Sequence, residues 1–525
     1  MRYINYHRHS MYSNLRSLDC VVKPEDYMKR AVELGQKEYV TTEHGFQGNI
    51  FEAYTLCQQY GLKCIYGVEA YYADNAEDKS ERSAFHIMLV ALTEKARREI
   101  NAIMSWANTN GFYYKPRIGL KQLLSLTPTD TLVTTACIAG RMFKDGWREK
   151  FFEPVYKHFG SNFYLEVQSH VNLRQAEYNK KLVELHRSTG IPLIHANDSH
   201  YIFPEDAKYR DLFLKAKGIE YEDERGFILD YPDSETILAR YKEQGVLTEE
   251  EAVEALNNTL VIDKAEGIHL DKEFKIPKIV DGDSNKVLQS LINEGWKKER
   301  ANIPKEKWPE YLAQIKYEYK IVEDCGMADY FILDHYVVKR AVENYDAILT
   351  RTGRGSAVSF YINKLLGLTE VDRIAAPITL YPTRFMSAER ILSSRSLPDI
   401  DLNWASVKPV IQASKDILGQ DGIYYMVAYK PLQESSAFRL WCKAIGMAIG
   451  EYDDIAKNID DYVENTKWGP IIEQSKVFRG VIESVAPSPC SFLLSNDKIS
   501  EMIGLIKVGE EICCCLDGYN CDAYK

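Results

Sequence analysis

The chain has 525 residues and a formal net charge of −11, which corresponds to about three or four domains of ordinary size. A hydrophobic fraction of 45% with 27% charged residues is typical of a folded globular protein and excludes a collagen-like or largely disordered chain. The negative charge argues against a surface that is basic throughout for nucleic-acid binding, although local basic tracks stay compatible with it.

The sequence also gives expectations about location. No stretch approaches the roughly 18 uninterrupted apolar residues of a membrane helix, and the first residues lack the apolar core of a signal peptide. The eleven cysteines are scattered and odd in number, which favours a reducing compartment over a disulfide framework. We therefore expect a cytoplasmic protein without membrane contacts.

Short apolar runs alternate with amphipathic stretches in the first 200 residues. This alternation predicts an α/β domain with a mostly parallel sheet, in the form of a barrel. The predicted strands are 38–42, 63–67, 86–90, 131–135, 163–167 and 192–196, and the predicted helices are 24–34, 94–107 and 173–189.

The later part of the chain has a different pattern. Residues 275–283 read as a boundary loop, and helical patterns follow from 285 to about 325. We expect a strand, a loop and a helix within 347–366, a strand near 398–402, and a largely helical region over 409–480.

Nine of the eleven histidines lie in the first 200 residues. His7 and His9 are expected on one strand, where alternation points both imidazoles to the same side. Further metal-binding residue types recur at the predicted strand ends, which is where an α/β barrel gathers its active site. These candidate ligands are His44, Glu69, His86, Cys137, Asp198 and His200.

A mixed nitrogen, oxygen and sulfur donor set suits zinc, manganese or iron better than magnesium or calcium. Such ions polarise phosphoryl groups and generate hydroxide, so hydrolysis of a phosphate ester is the expected chemistry. Each residue alone is more often a surface histidine, a helix-capping carboxylate or a buried small cysteine. The combined arrangement favours a metal site.

A second candidate site begins at a glycine-rich turn. Gly353, Arg354, Gly355 and Ser356 precede a helical pattern over 357–364, and such a turn presents backbone N–H groups to a phosphate. Arg354 adds a fork-shaped cation. On its own, however, a Gly-x-Gly turn is more often simply a loop.

Two carboxylates follow about 45 residues later, in the predicted strand. Asp399 and Asp401 would point the same way there, which is costly unless cations bridge them. Two Mg²⁺ ions held in this way would support nucleotidyl transfer. The preceding segment is rich in arginine, including Arg390, as suits a triphosphate site. The alternative interpretation is that the two aspartates are exposed to solvent at the edge of a strand and bind no metal.

The first motif set resembles the polymerase-and-histidinol-phosphatase (PHP) domain, in the form found at the N-terminus of the bacterial replicative DNA polymerase III alpha subunit. The segments that resemble the family's motifs are 7–13 (HRHSMYS), 42–45 (TEHG), 67–71 (GVEAY), 136–140 (ACIAG) and 197–201 (NDSHY). The resemblance implies a ligand set to which Asp19 is added, and trimming of DNA 3′ ends. Two departures are Glu43 in place of aspartate, and Cys20 in place of glycine after a longer lead-in to Asp19.

The second motif set is similar to the palm of the same family. Residues 353–357 (GRGSA), 398–401 (PDID) and 328–333 (ADYFIL) carry the similarity. It implies metal binding by Asp399 and Asp401, and nucleotide contacts by Gly353, Arg354, Gly355, Ser356 and Arg390. Lys430, Arg439 and Lys443 lie in a thumb-like segment and are candidates for DNA contacts.

The family's third catalytic carboxylate has no secure counterpart, and Asp522 is the available substitute. We therefore expect an incomplete polymerase, either half of a split enzyme or a truncated product. The three adjacent cysteines 513–515 are expected to be buried strand residues rather than zinc ligands.

The resulting prediction is a PHP-type α/β barrel followed by a nucleotidyltransferase-like palm with a helical thumb insertion. The predicted domains are the PHP domain over 1–270, the first palm part over 281–408, the thumb over 409–480 and the palm return over 481–525. The expected function is template-directed DNA synthesis with metal-dependent 3′→5′ exonuclease or phosphoesterase activity, using Mg²⁺ in the palm and Zn²⁺ or Mn²⁺ in the PHP site. Expected partners are primer-template DNA, dNTPs, a complementing C-terminal chain and, through it, a sliding clamp.

Two rival functions remain. One is a free-standing phosphoesterase with an inactive palm, for which alanine at Asp399 would spare hydrolysis. The other is a non-catalytic binding module, which would hold no transition ion.

Overall fold

The computed structural model describes residues 1–270, 275–350, 352–394 and 397–521. Within these residues, no helix combines the length and apolar character needed to cross a membrane. The chain forms two compact units. Unit 1 contains 1–270, 425–491 and 500–521, and unit 2 contains 275–424 and 492–499.

Unit 1 is organised around an eight-stranded sheet, and all six strands predicted from the sequence are present. Two short strands near residue 115 were not predicted. The strands are β1 Glu38–Thr41, β2 Lys63–Tyr72, β3 Phe85–Ala91, β4 Phe112–Tyr113, β5 Lys115–Ile118, β6 Thr131–Thr134, β7 Phe163–Gln168 and β8 Leu193–Ala196.

The sheet has the order β4-β5-β2-β3-β6-β7-β8, with β1 beside β2. Strand pairs β1–β2, β2–β5, β6–β7 and β7–β8 are parallel, as expected. Strand β3 departs from the expectation because it runs antiparallel to both β2 and β6. Its N-terminal end therefore lies at the edge where its neighbours have their C-terminal ends.

The N-terminal segment curls the sheet towards a barrel. The backbone N–H of His9 donates to Ser199 O (2.8 Å), and that of Ser199 donates to His7 O (3.2 Å), beyond the end of β8. On the opposite side, the Thr42 hydroxyl accepts from Arg8 N (3.2 Å) and donates to Arg8 O (2.8 Å), beyond the end of β1. The segment that carries the His7–His9 pair thus connects the residues that follow β8 with those that follow β1.

Nine helices accompany this sheet in the described residues up to 270, and the three predicted ones are among them. Side-chain caps begin several of them; for example, the Thr93 hydroxyl accepts from Ala96 N. The helices are α1 Pro24–Glu33, α2 Ile50–Tyr60, α3 Glu94–Thr109, α4 Leu120–Leu123, α5 Glu153–Phe159, α6 Leu173–Thr189, α7 Ala207–Lys217, α8 Ser234–Gln244 and α9 Glu249–Asn258.

Unit 2 is mainly helical. Its helices are α10 Ser284–Glu299, α11 Trp308–Asp324, α12 Ala328–Tyr345, α13 Tyr361–Leu365, α14 Ala388–Ser394 and α15 Lys408–Leu418, and its short antiparallel strands are β9 Leu349–Thr350 and β10 Asn403–Trp404.

Two local predictions in unit 2 were wrong. Residues 397–402 form no strand, and pairing begins only at Asn403. The helix expected over 357–364 is interrupted at Phe360, whose backbone is extended (φ −124°, ψ 113°). A short 3₁₀ turn and the five-residue helix α13 replace it.

The region after residue 420 adds a four-stranded sheet in the order β12-β11-β14-β13. In unit 1, Trp441 of this region and Phe213 of α7 both pack on Phe478, with ring centroids 5.5 and 5.9 Å away. The cysteines 513–515 are buried strand residues, as predicted. The elements are β11 Ile423–Pro431, α16 Glu434–Ala444, α17 Ile449–Lys457, α18 Gly469–Ser475, β12 Ile482–Leu494, α19 Ile499–Met502, β13 Leu505–Val508 and β14 Glu511–Asp517.

Candidate metal centre

The barrel brings all nine predicted metal ligands to one edge of the sheet. His44 follows β1, Cys137 follows β6, and Asp198 with His200 follow β8, all at C-terminal strand ends. His86 reaches the same edge for the opposite reason, because it lies near the start of the antiparallel strand β3. The remaining predicted ligands are His7, His9, Asp19 and Glu69.

Glu69 lies at the centre of the cluster. Its carboxylate oxygens approach His44 Nδ1 (2.5 Å), His86 Nδ1 (2.7 Å) and His7 Nε2 (3.2 Å). Cys137 Sγ lies 3.4 Å from His86 Nδ1. Glu69 therefore faces imidazoles from three different parts of the chain.

Two aspartates complete the cluster. Asp198 Oδ1 lies 3.3 Å from His7 Nε2 and 3.2 Å from His9 Nε2. Asp19 Oδ2 lies 3.1 Å from His44 Nε2 and 3.6 Å from His200 Nε2. Cys20, which the motifs did not assign, also has its sulfur within reach of Asp19 and His200.

The donor atoms fit divalent metal ions. Buried side-chain atoms normally make well-oriented hydrogen bonds, yet several atoms that converge here approach one another without making one. A metal ion satisfies such lone pairs at short range, and buried imidazoles with carboxylates and a thiol are a ligand set for transition ions. The unsatisfied atoms are His7 Nε2, His9 Nε2, Asp19 Oδ1, His44 Nδ1, Glu69 Oε1 and Oε2, and Asp198 Oδ1.

The close packing of imidazoles and carboxylates has large electrostatic effects. Burial by itself lowers the pKa of His44, but the carboxylates of Glu69 and Asp19 raise it to about 10. Burial and the neighbouring His44 lower the pKa of His9 to about 3. Burial alone would raise the pKa of Glu69, but the surrounding imidazoles hold it well below its usual range. The carboxylates of the cluster therefore interact strongly with the imidazoles around them.

Two residues of the centre have strained backbones. Ala136, immediately before Cys137, has φ +55°, and Asp198 itself has φ +51°. Non-glycine residues in this left-handed region cost on the order of 1–3 kcal/mol and cluster at functional sites. The strain coincides with two of the loops that carry predicted ligands.

Glu166 orients His7, and sequence reasoning missed it. Its Oε1 accepts from His7 Nδ1 (2.7 Å) and from Gln168 Nε2 (3.0 Å). Its Oε2 accepts from the hydroxyls of Tyr6 (2.8 Å) and Thr134 (2.7 Å). With Nδ1 protonated, the lone pair of His7 Nε2 is directed into the cluster, as in carboxylate–histidine–metal triads.

Glu43 has a comparable role for His9. The Ser13 hydroxyl donates to Glu43 (2.5 Å) and accepts from His9 Nδ1 (3.2 Å) and His44 N (3.2 Å). Glu43 also accepts from Ser10 N (3.0 Å). The longer Glu43 side chain is thus directed to the loop after His9, and His44 stays in the cluster.

A cavity of about 600 Å³ is lined by several of the predicted metal ligands. It exposes part of the cluster, including Asp19, His86 and Asp198, to molecules from solution. Aromatic side chains of Tyr71, Tyr221 and Phe227 and a single Lys or Arg side chain, that of Lys115, occur among its described lining residues. The volume falls in the range of small-molecule sites.

In the second predicted site, the glycine-rich turn lies against one of the two aspartates. Gly353 and Gly355 have positive φ values of +87° and +64°, and a Cβ at Gly355 would lie 2.1 Å from Asp401 Oδ2. Asp401 therefore rests against the glycine turn. Arg354 Nη1 donates to Asn403 Oδ1 at 3.5 Å.

Asp399 and Asp401 are both exposed, on backbone without strand pairing, so the predicted strand does not fix their common direction. Arg390 is exposed and donates to the carbonyl of Phe385. Ser356 is part of the turn, and its carbonyl accepts from Ser359 N and Oγ. Asp522, the substitute third carboxylate, lies outside the described residues.

The predicted DNA-contacting residues belong to unit 1. Lys430 is exposed on β11 and Lys443 on α16. Arg439, also on α16, donates to Asp453 Oδ1 (3.1 Å) and to the Ser435 hydroxyl (2.5 Å). Its guanidinium is therefore already engaged.

Comparisons with known proteins agree with both motif sets. Residues 5–170 match the PHP domain, and residues 286–509 match the bacterial DNA polymerase III alpha NTPase domain. A solved amidohydrolase from Chromobacterium violaceum aligns with 38% of this chain and 88% of its own, at 14% identity and a TM-score of 0.25.

Curated relatives are named DNA polymerase III subunit alpha. The Aquifex aeolicus protein is 27% identical over 512 residues, covering 90% of this chain and 42% of its own length. The Borreliella burgdorferi protein is 26% identical over 488 residues, covering 88% of this chain and 40% of its own length. The chain spans about two fifths of these relatives. It is therefore a homologue of the N-terminal part of bacterial DNA polymerase III alpha subunits, with a PHP domain, as its motifs predicted.

Proposed function

We propose that the buried cluster binds divalent metal ions and hydrolyses phosphate esters at the 3′ ends of DNA. The observation that carries the proposal is the convergence of unsatisfied imidazole and carboxylate atoms at the base of an open cavity. Zn²⁺ or Mn²⁺ suits the mixed donor set. When bound, such ions polarise the phosphoryl group and lower the pKa of a water molecule.

The protein's own residues would prepare the site for this reaction. Glu166 and Ser13 fix the tautomers of His7 and His9, so that both Nε2 lone pairs face the reaction centre. Hydrolysis joins the oxygen of water to phosphorus and breaks the bond to the 3′ oxygen, which leaves as an alcohol after taking a proton. The cavity would hold the terminal nucleotide.

Asp198→Asn tests this proposal. Loss of a carboxylate that faces His7 and His9 should lower metal content and reduce the hydrolysis rate about a thousand-fold, since metal polarisation is worth several kcal/mol. The assay is cleavage of a 3′-labelled oligonucleotide with Mn²⁺ or Zn²⁺. Asp211→Asn, an exposed aspartate on α7, is the matched control. Equal activity of the two variants would contradict the proposal.

We further propose that the chain contributes to template-directed DNA synthesis. The names of its relatives and the match over 286–509 support this function. Asp399 and Asp401 would hold Mg²⁺, and the glycine turn with Arg354, Ser356 and Arg390 would bind the triphosphate. Primer-template DNA and dNTPs are the proposed substrates.

The proposed partners are a complementing C-terminal polymerase chain and, through it, a sliding clamp. Intact-mass analysis of the protein with everything that co-purifies from its source tests this, and a tightly bound second chain is the expected result. In that complex, Asp399→Ala should abolish primer extension and spare hydrolysis. If the wild-type complex extends no primer, the free-standing phosphoesterase with an inactive palm becomes the better explanation.

A further inference from the structure

The wall of the metal cavity carries one cationic side chain for which the motifs gave no role. Lys115 is the single Lys or Arg among the described lining residues, whereas Asp19, Asp198 and several glutamates also line the cavity. We propose that Lys115 is a catalytic residue that binds a non-bridging oxygen of the scissile phosphate. This inference rests on the proposed phosphoesterase function.

The position of Lys115 is fixed by the sheet. It is the first residue of β5, and this strand is held to β2 by parallel pairing of Arg117 with Tyr71. Lys115 Nζ lies 5.2 Å from the centroid of the Tyr71 ring. That ring stacks on His44 (6.2 Å) and meets His86 edge-on (5.4 Å). Lys115 Nζ and two predicted metal ligands thus all contact the same aromatic ring.

Lys115 retains capacity for a ligand, in contrast to nearby Arg117. The Arg117 guanidinium is fully buried and donates to the carbonyls of Ala76, Asp78 and Glu81, so it holds a loop together. The described partner of Lys115 Nζ is the carbonyl of Arg16, and an ammonium group has three donors. The remaining donors are available to a molecule in the cavity that Lys115 lines.

The charge balance favours a phosphate as that molecule. The cavity is acidic, so an anion enters it favourably only where cations offset the carboxylates. Metal ions in the cluster would supply most of that charge, and a lysine beside them adds a compact positive charge for an oxygen that becomes more negative in the transition state.

The test compares Lys115→Met, which removes the charge, with Lys115→Arg, which keeps it. Lys121→Met, at an exposed position on α4, is the matched control. With Mn²⁺-loaded protein, we expect Lys115→Met to lower kcat/KM for a 3′-labelled oligonucleotide by 10- to 100-fold at unchanged metal content (roughly the loss of one charge-assisted contact). Lys115→Arg should retain much of the activity.

Binding of inorganic phosphate provides a readout that does not depend on turnover. Calorimetric titration of the Mn²⁺-loaded protein should show about ten-fold weaker phosphate binding for Lys115→Met and no change for Lys121→Met. Lys115→Gln keeps a donor for the Arg16 carbonyl and serves if the methionine variant does not fold. Unchanged phosphate affinity in a folded, metal-loaded variant would overturn the assignment. Absence of hydrolysis by the wild type would instead contradict the proposed function and leave the titration as the deciding measurement.

Discussion

In the candidate metal centre, Glu69 and Asp198 lie within about 3.5 Å of four imidazoles, and Glu69 is completely buried. In the second candidate site, Asp399 and Asp401 are exposed and no strand pairing holds their backbone. The first constellation is thus arranged by the polypeptide itself. The second has its carboxylates and glycine turn in place, but without the surrounding shell that fixes their directions.

The difference follows from the energetics of burying charge. Carboxylates can be gathered in a low-dielectric interior only if cationic or hydrogen-bonding partners offset their desolvation. In the candidate metal centre, the partners of Glu69 and Asp198 are the imidazoles of His7, His9 and His44. Glu166 and Ser13 orient two of these imidazoles from behind. Exposed aspartates such as Asp399 and Asp401 have no such requirement, because water solvates them.

Glu166→Gln should give the largest effect among the tests of this comparison. Four donors converge on the carboxylate, so an amide would turn its NH₂ towards at least one of them and disturb His7. Loss of such an orienting partner typically costs 10- to 100-fold in metal affinity.

Competition of the protein with a chelator for Mn²⁺ or Zn²⁺ measures that affinity. Glu184→Gln, an exposed glutamate on α6, is the control and should bind metal like the wild type. If Glu166→Gln bound metal equally well, the pre-arrangement of the cluster would not depend on the residues behind it.

The two sites also differ in how well the sequence predicted them. The positions of strand ends and the family resemblance, which added Asp19, gave the list of candidate ligands. The strand expected for His7 and His9 is absent, since only Arg8 forms an isolated bridge there. The direction of β3 could not be predicted from the sequence, because short buried strands have the same apolar pattern in parallel and antiparallel sheets. Only the pairing with neighbouring strands determines the direction. His86 was listed because it opens a predicted strand, and its position beside the other candidate ligands became clear only with the sheet.

Other contributors had no local signal. Glu166 lies inside β7 among mostly apolar residues, and its contact with His7 is a long-range one that the local sequence pattern does not specify. Lys115 precedes a proline in a strand that was not predicted at all. The alternation expected for Asp399 and Asp401 failed for a related reason: period-two patterns fix side-chain direction only where a neighbouring strand pairs with the backbone.

Gly355→Ala is expected to have a smaller effect on folding stability and on primer extension. Measuring both quantities distinguishes backbone strain from a role in the reaction at the second site. An alanine would have to adopt φ +64°, which costs on the order of 1 kcal/mol of folding stability. Gly367→Ala is the matched control, because it has the same kind of strain (φ +76°) but open space around its Cβ. Thermal unfolding should therefore show similar destabilisation for the two variants.

The two glycine variants should differ in nucleotide chemistry. At Gly355 the new Cβ would displace the tip of Asp401, whereas Gly367→Ala leaves Asp401 in place. We expect Mg²⁺-dependent primer extension by the complex to fall about ten-fold or more for Gly355→Ala and to stay unchanged for Gly367→Ala. A ten-fold loss corresponds to the free energy of about one hydrogen bond to a charged group. Equal extension by both variants would mean that the position of Asp401 against the turn has no part in the reaction.

The smallest effects are expected on α16, where two predicted DNA contacts differ in availability. Lys443 is exposed, whereas Arg439 is already paired with Asp453. Each phosphate contact contributes about −0.9 to the slope of log K against log salt concentration, which is about a three-fold change in affinity between roughly 50 and 200 mM salt. Lys443→Ala should therefore reduce duplex affinity and the salt slope more than Arg439→Ala does.

Asp453→Asn should act in the opposite direction and raise duplex affinity, because it releases the Arg439 guanidinium for contact with a phosphate. Fluorescence anisotropy with a labelled duplex over that salt range measures all three variants. If the order of Lys443 and Arg439 were reversed, the ion pair seen in the isolated chain would have to open on DNA, and α16 would resemble the exposed second site rather than the pre-arranged metal centre.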